Sequence, residues 1–213
     1  MNNFNLPDHA VVYVMDAYCG WCWGFSQRMR EFEAANRQRV AFTAISGGLF
    51  IGERAAPLAC YPHIPQANER IANMTGAVFG EGYRTRLLEG KMVMDSQGAA
   101  EGLAVLRAHA PERAIHMAHA LQAAFYGQGL SLSDPATITG IARANGLDET
   151  AILRDLTEGA ATAQAVADFA LARRLGVNSY PTLLYVNAGR TYQLPATGTA
   201  LNVLNQHLDA LLT

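Results

Sequence analysis

Two cysteines three residues apart, Cys19 and Cys22, enclose Gly20 and Trp21 in a C-x-x-C motif. On a helical turn that spacing puts both thiols on one face, close enough for a disulfide. A cysteine that opens a helix meets unpaired backbone N–H groups and the positive end of the helix dipole, which favour an anion. Cys19 holds that place, while Cys22, one turn further in, is the natural resolving thiol. Gly20 leaves room for a substrate backbone, and Trp21 and Trp23 offer apolar surface beside the sulfurs. Three residues before Cys19 stands Asp16, at the end of an apolar run. It either relays the proton of Cys22 or caps the following helix, and the sequence leaves both open.

A second use of the cysteines is zinc binding. Cys60-Tyr61-Pro62-His63 supplies a C-x-x-H, and three thiolates with one imidazole can hold that ion. The proline between those ligands and the strand-like flank of Cys19 favour redox chemistry, so no metal is expected. His116 and His119 share a helix face, but no acid is spaced to complete a metal site with them. Gly47-Gly48 lacks the pattern of a phosphate loop.

The elements around the motif are legible from periodicity. Val11 to Asp16 is a buried strand, Gly24 to Arg37 a helix with Phe25, Met29 and Phe32 on one stripe, and Val40 to Ile45 a second strand. Such a β-α-β unit has parallel strands and a right-handed crossover. From Leu49 the character changes. Ile51 to Pro65 reads as loop, and helices follow over 66–77, 80–89, 96–108 (with Ser96 as N-cap), 111–126, 134–146 and 148–158. After Thr162 come a helix to Gly176, the segment Val177 to Val186 with Pro181 before an apolar strand, a hairpin turn at 187–190, and a closing helix over 198–212. This is one α/β domain over 1–213, with a core of about 8–48 and 162–213 and an all-helical insertion over about 49–161.

Half of the 213 residues are apolar and the formal net charge is −2, so neither nucleic acid nor an anionic membrane is expected as a partner. No run approaches the roughly 20 apolar residues of a membrane span. The first nine residues carry no basic patch and no apolar leader core. Three cysteines without a disulfide framework fit a reducing, cytoplasmic compartment.

Two segments carry a family resemblance: Asp16-Ala17-Tyr18-Cys19-Gly20-Trp21-Cys22-Trp23-Gly24-Phe25, and Gly176-Val177-Asn178-Ser179-Tyr180-Pro181-Thr182. With the element order around them, the chain resembles the thioredoxin fold in its DsbA-like form, nearest the cytosolic, FrnE-like group of predicted protein-disulfide isomerases. The resemblance implies thiol–disulfide exchange, with Cys19 as nucleophile, Cys22 as resolving thiol and Pro181 as a cis-proline beside them. The redox-active Cys19–Cys22 disulfide then serves in place of a cofactor. Trp21, Tyr180 and Pro181 are the expected substrate-binding residues, and Asp16 the candidate proton relay. Expected partners are protein or peptide thiols and disulfides, with glutathione a further candidate.

Gly20-Trp21 departs from the dipeptides of strongly oxidising relatives and of thioredoxin, and supplies no cationic histidine. An intermediate potential, roughly −180 to −260 mV, and a reductase or isomerase role are therefore expected. Two alternatives remain: a glutathione-dependent isomerase or transferase acting on a small molecule, and a zinc-stabilised interaction protein.

Overall fold

A computed structural model describes residues 6–212. Part of the N-terminal stretch searched above for a leader lies outside them. The chain opens with β1 (Ala10–Met15), α1 (Gly20–Asn36) and β2 (Ala41–Ser46). It continues with β3 (Ala56–Pro57), α2 (Ile64–Thr75), α3 (Glu81–Glu89), β4 (Val93–Met94) and α4 (Ser96–His109). Next come α5 (Ala114–Tyr126), α6 (Pro135–Ala144), α7 (Glu149–Thr157) and α8 (Ala160–Arg174). It closes with β5 (Thr182–Asn187), β6 (Arg190–Leu194) and α9 (Leu201–Leu212).

The main sheet has the order β2-β1-β5-β6. β1 runs parallel to β2 and antiparallel to β5, and β5 pairs antiparallel with β6 across a turn at Ala188 and Gly189. β1 is central, and all six of its residues are buried. The two-residue period of a strand divides them. Val11, Tyr13 and Met15 join Leu183 and Tyr185 in a large core shared with α1 and α5. Val12 and Val14 join Leu184, Val186, Ile45 and Ala172 of α8 on the other face. This is a thioredoxin fold with a mostly helical insertion between β2 and α8.

On α1 the buried stripe is Cys22, Phe25, Met29 and Phe32, at i, i+3, i+7 and i+10. The apolar side that holds this helix on the sheet thus carries Cys22 into the core. On the far side of β2, Arg107 of α4 donates two hydrogen bonds at 2.9 Å each to the Asp168 carboxylate of α8. Asp168 also accepts from Gln164 at 3.0 Å and from the backbone N–H of Ser46 at 3.2 Å, locking two helices to the end of β2.

Four local expectations need correction. α1 begins at Gly20 rather than Gly24, because Cys19 already takes the extended cap conformation and the glycine follows it into the helix. Asp95, not Ser96, caps α4, its carboxylate accepting from Gln97 N–H at 2.9 Å. The first turn at Pro111 is a 3₁₀ turn ahead of α5. β3, inside the stretch read as loop, pairs antiparallel with β4, between two expected helices, two residues being too short for a periodic signal.

Candidate active site

The motif sits where β1 hands over to α1. Cys19 is the N-cap residue of the helix and has no side-chain capping bond, so its sulfur is left at the open amide end. The Cys19 Sγ donates instead to the carbonyl oxygen of Tyr180, 3.6 Å away and 161 positions along the chain. The Tyr180–Pro181 peptide is cis. Pro181 therefore stands in the loop that faces the first sulfur, immediately before β5.

The two thiols differ in setting. Cys19 is 5 % exposed and Cys22 is fully buried. Burial pushes the Cys22 thiol well above the ordinary 9.0, and its hydrogen bond with Cys19 and the charges nearby push it the same way. Tyr13, from the middle of β1, lies under it and donates its hydroxyl to the Cys22 carbonyl at 3.3 Å. Burial also raises the Tyr13 phenol far above its usual range, so it stays protonated as a donor.

Asp16 is 1 % exposed and does not cap α1. Its carboxylate accepts from Tyr18 N–H at 2.9 Å and from Leu49 N–H at 2.7 Å, pinning the segment after β2 to the end of β1. Burial raises its pKa above the ordinary 3.8, while these amides, Ser96 and the charge of Arg54 offset part of that. Its charge acts on Cys22 in turn, so the acid lies within electrostatic reach of the resolving thiol.

The other expected binding residues are placed unequally. Trp21 is half-buried, with the Arg70 guanidinium of α2 over its ring, 5.6 Å from the centroid. The Tyr180 hydroxyl donates to the Gly47 carbonyl at 2.5 Å, and the phenol stays within electrostatic reach of both cysteines. A Cβ on Gly47 would lie 2.0 Å from that ring, so the glycine is what lets Tyr180 close on the end of β2. Gly20 does not open a path for a substrate backbone: a Cβ there would lie 2.9 Å from Cδ1 of Ile71, and the space belongs to α2.

Residues the motif reading missed come from the insertion. Tyr126 of α5 donates to the Tyr18 carbonyl at 2.6 Å, and Leu132 N–H donates to the Tyr18 hydroxyl at 3.0 Å. Trp23 stacks on both His119 and Tyr126, each centroid 5.7 Å away. Burial, then the positive charges of Arg30 and His116, lower His119 to about 4, leaving a neutral ring whose Nδ1 lies 2.7 Å from Ser26 Oγ. His116 pairs separately with Asn145 Oδ1 at 2.6 Å. The contacts to Tyr18, Trp23 and Ser26 span about a hundred positions, and no local pattern announces them. A tyrosine inside the apolar β1 run was the one available signal.

The zinc set does not assemble. Cys60 is exposed on a 3₁₀ turn, and no group of three His, Cys, Asp or Glu residues forms a metal-binding cluster among the described residues.

A dithiol at the amide end of the first helix of a thioredoxin-type sheet, facing a cis-proline loop, defines a thiol–disulfide oxidoreductase class. The model of the DSBA-like thioredoxin domain matches residues 10–199, and the chain belongs to that family. Among solved structures, a presumed protein disulfide isomerase from Nitrosomonas europaea is similar at a TM-score of 0.83 and 20% identity, covering 97% of this chain and 98% of that one. The cytosolic disulfide reductase DsbM from Pseudomonas aeruginosa, solved with GSH, is similar at 0.79 and 23% identity, over 96% and 100% of the two chains. A 2-hydroxychromene-2-carboxylate isomerase shares the fold at 0.59 and 16% identity, over 95% of each chain. No curated protein sequence matches the chain. No described helix is long and apolar enough to cross a membrane.

Proposed function

We propose that the protein is a cytoplasmic disulfide reductase or isomerase that exchanges disulfides with protein or peptide thiols through Cys19 and Cys22. The observation that carries this reading is the asymmetry of the pair: Cys19 is at the helix amide end against the Tyr180 carbonyl, and Cys22 is sealed beneath it. In the forward direction the Cys19 thiolate attacks one sulfur of a substrate disulfide. A mixed disulfide forms and the substrate's other sulfur leaves as a thiolate. Cys22, once deprotonated, attacks Cys19 Sγ, closes the Cys19–Cys22 disulfide and releases the second substrate sulfur; the substrate gains two electrons and the enzyme loses two. Asp16, buried and within electrostatic reach of Cys22, receives the Cys22 proton, its own proton affinity raised by burial. The Pro181 loop offers backbone for an extended substrate. Two thiols of the glutathione type return the pair to the dithiol.

Both cysteines are present, which disfavours the glutathione-dependent small-molecule isomerases of this fold as a model for the activity. Equilibration against glutathione buffers tests the reading. The expected potential is about −180 to −260 mV, and a value more positive than about −150 mV contradicts a reductase or isomerase.

A further inference from the structure

The dipeptide between the cysteines is bordered by a groove that the exchange chemistry leaves unused. α2 docks on the first turn of α1 through Ile71, which fills the space above Gly20 and Gly24. Helical spacing then sets Gln66, Arg70, Asn73 and Met74 in a row beside Trp21. The groove they line holds about 830 Å³, within the roughly 300–1,000 Å³ of small-ligand sites. It is an open groove whose walls join an indole and a thioether to five polar side chains, His63, Gln66, Glu69, Arg70 and Asn73. Arg70 makes no ion pair among the described residues, and its guanidinium lies over the face of Trp21. A planar cation held over an indole keeps its N–H fork free for a carboxylate. Glu69 lies on the same rim.

We infer that this groove is the docking site of a small peptide thiol that bears both a carboxylate and an ammonium group, with Arg70 reading the carboxylate and Glu69 the ammonium. The inference rests on the thiol–disulfide reading of Cys19 and Cys22, and it gives that reading a specificity for its reducing partner. Trp21 is both the floor of the groove and the neighbour of Cys19 by two positions, so a ligand seated there brings its sulfur toward the motif. Reduction consumes two ligand thiols. The first, as thiolate, attacks Cys19 Sγ and expels Cys22 as a thiolate. The second attacks the ligand sulfur of the mixed disulfide, leaving Cys19 as a thiolate and the ligand as its own disulfide. The protein gains two electrons, which the two ligand thiols lose.

The test is the rate of reduction of the oxidised full chain by glutathione and by 2-mercaptoethanol, which has neither charge. In Arg70→Ala the ratio of the two rate constants falls roughly fivefold, the effect of one well-placed exposed charge pair. Arg70→Lys recovers part of it, and added salt lowers the ratio in the native protein but not in the alanine variant. Glu69→Gln narrows the preference for glutathione over N-acetylcysteine, which lacks the free ammonium. An unchanged glutathione-to-mercaptoethanol ratio in Arg70→Ala overturns the groove while leaving the cysteine chemistry standing. If neither thiol reduces the native protein, the thiol–disulfide reading fails and the groove falls with it.

Discussion

Asp16 and Asp168 are both 1 % exposed, and the molecule holds them in opposite ways. Asp168 faces a bidentate arginine and two further donors, so its charge is answered in full. Asp16 receives two backbone amides and the Ser96 side chain, with the Arg54 charge acting on it but no ion pair among the described residues, and burial leaves its proton affinity raised. A charge that is paired and saturated fastens helices to a sheet. One that is only partly answered keeps a raised proton affinity within electrostatic reach of Cys22.

Breaking the pairing at Asp168 is expected to have the largest effect on stability. Asp168→Ala strands Arg107 against β2 and should cost about 3–5 kcal/mol, read as a shift in denaturant midpoint. The exchange rate per folded molecule should stay near that of the native chain.

Asp16→Asn should invert that pattern. Stability changes by only about 1 kcal/mol for one hydrogen bond weakened, while the step that needs Cys22 slows. The pH dependence sharpens the contrast. Because the native pKa of Asp16 lies above 3.8, the folded state binds its proton more tightly than the unfolded chain does. The stability this gives is present below 3.8 and is lost as pH rises through the raised native value. The native chain should therefore lose stability relative to Asp16→Asn across that window, and a parallel course in the two proteins contradicts the assignment.

Gly47→Ala probes the same corner from the other side. Its new Cβ collides with the Tyr180 ring, at a cost of about 1–3 kcal/mol, and displaces the loop whose carbonyl meets Cys19. Alkylation of Cys19 should change more than global stability does. The smallest effect expected is at Gln122 on α5, which is fully buried with the Tyr13 hydroxyl as its side-chain partner. Gln122→Leu removes that weak hydrogen bond at similar volume and should change stability by about 1 kcal/mol or less.

The sequence showed the sheet and the cysteine pair because both rest on local patterns: β-branched runs at strand length, and thiols one helical turn apart. It showed less of what surrounds them. The setting of Asp16 depends on Leu49, 33 positions away, and the support of Tyr18 depends on Tyr126 and Leu132, more than a hundred away. Gly20 was misread for the same reason. Its missing side chain makes room for Ile71 of a helix that the motif alone does not announce.

The most direct test is to ask which sulfur takes a substrate. With Cys60, the exposed third thiol, replaced by serine, Cys22→Ser and Cys19→Ser variants are incubated with glutathione disulfide and mapped by peptide mass spectrometry. Cys22→Ser should hold one glutathione per chain on Cys19, and Cys19→Ser, whose remaining thiol is buried and reluctant to ionise, should hold almost none. Equal or faster labelling of Cys22 would contradict the assignment of Cys19 as the attacking sulfur.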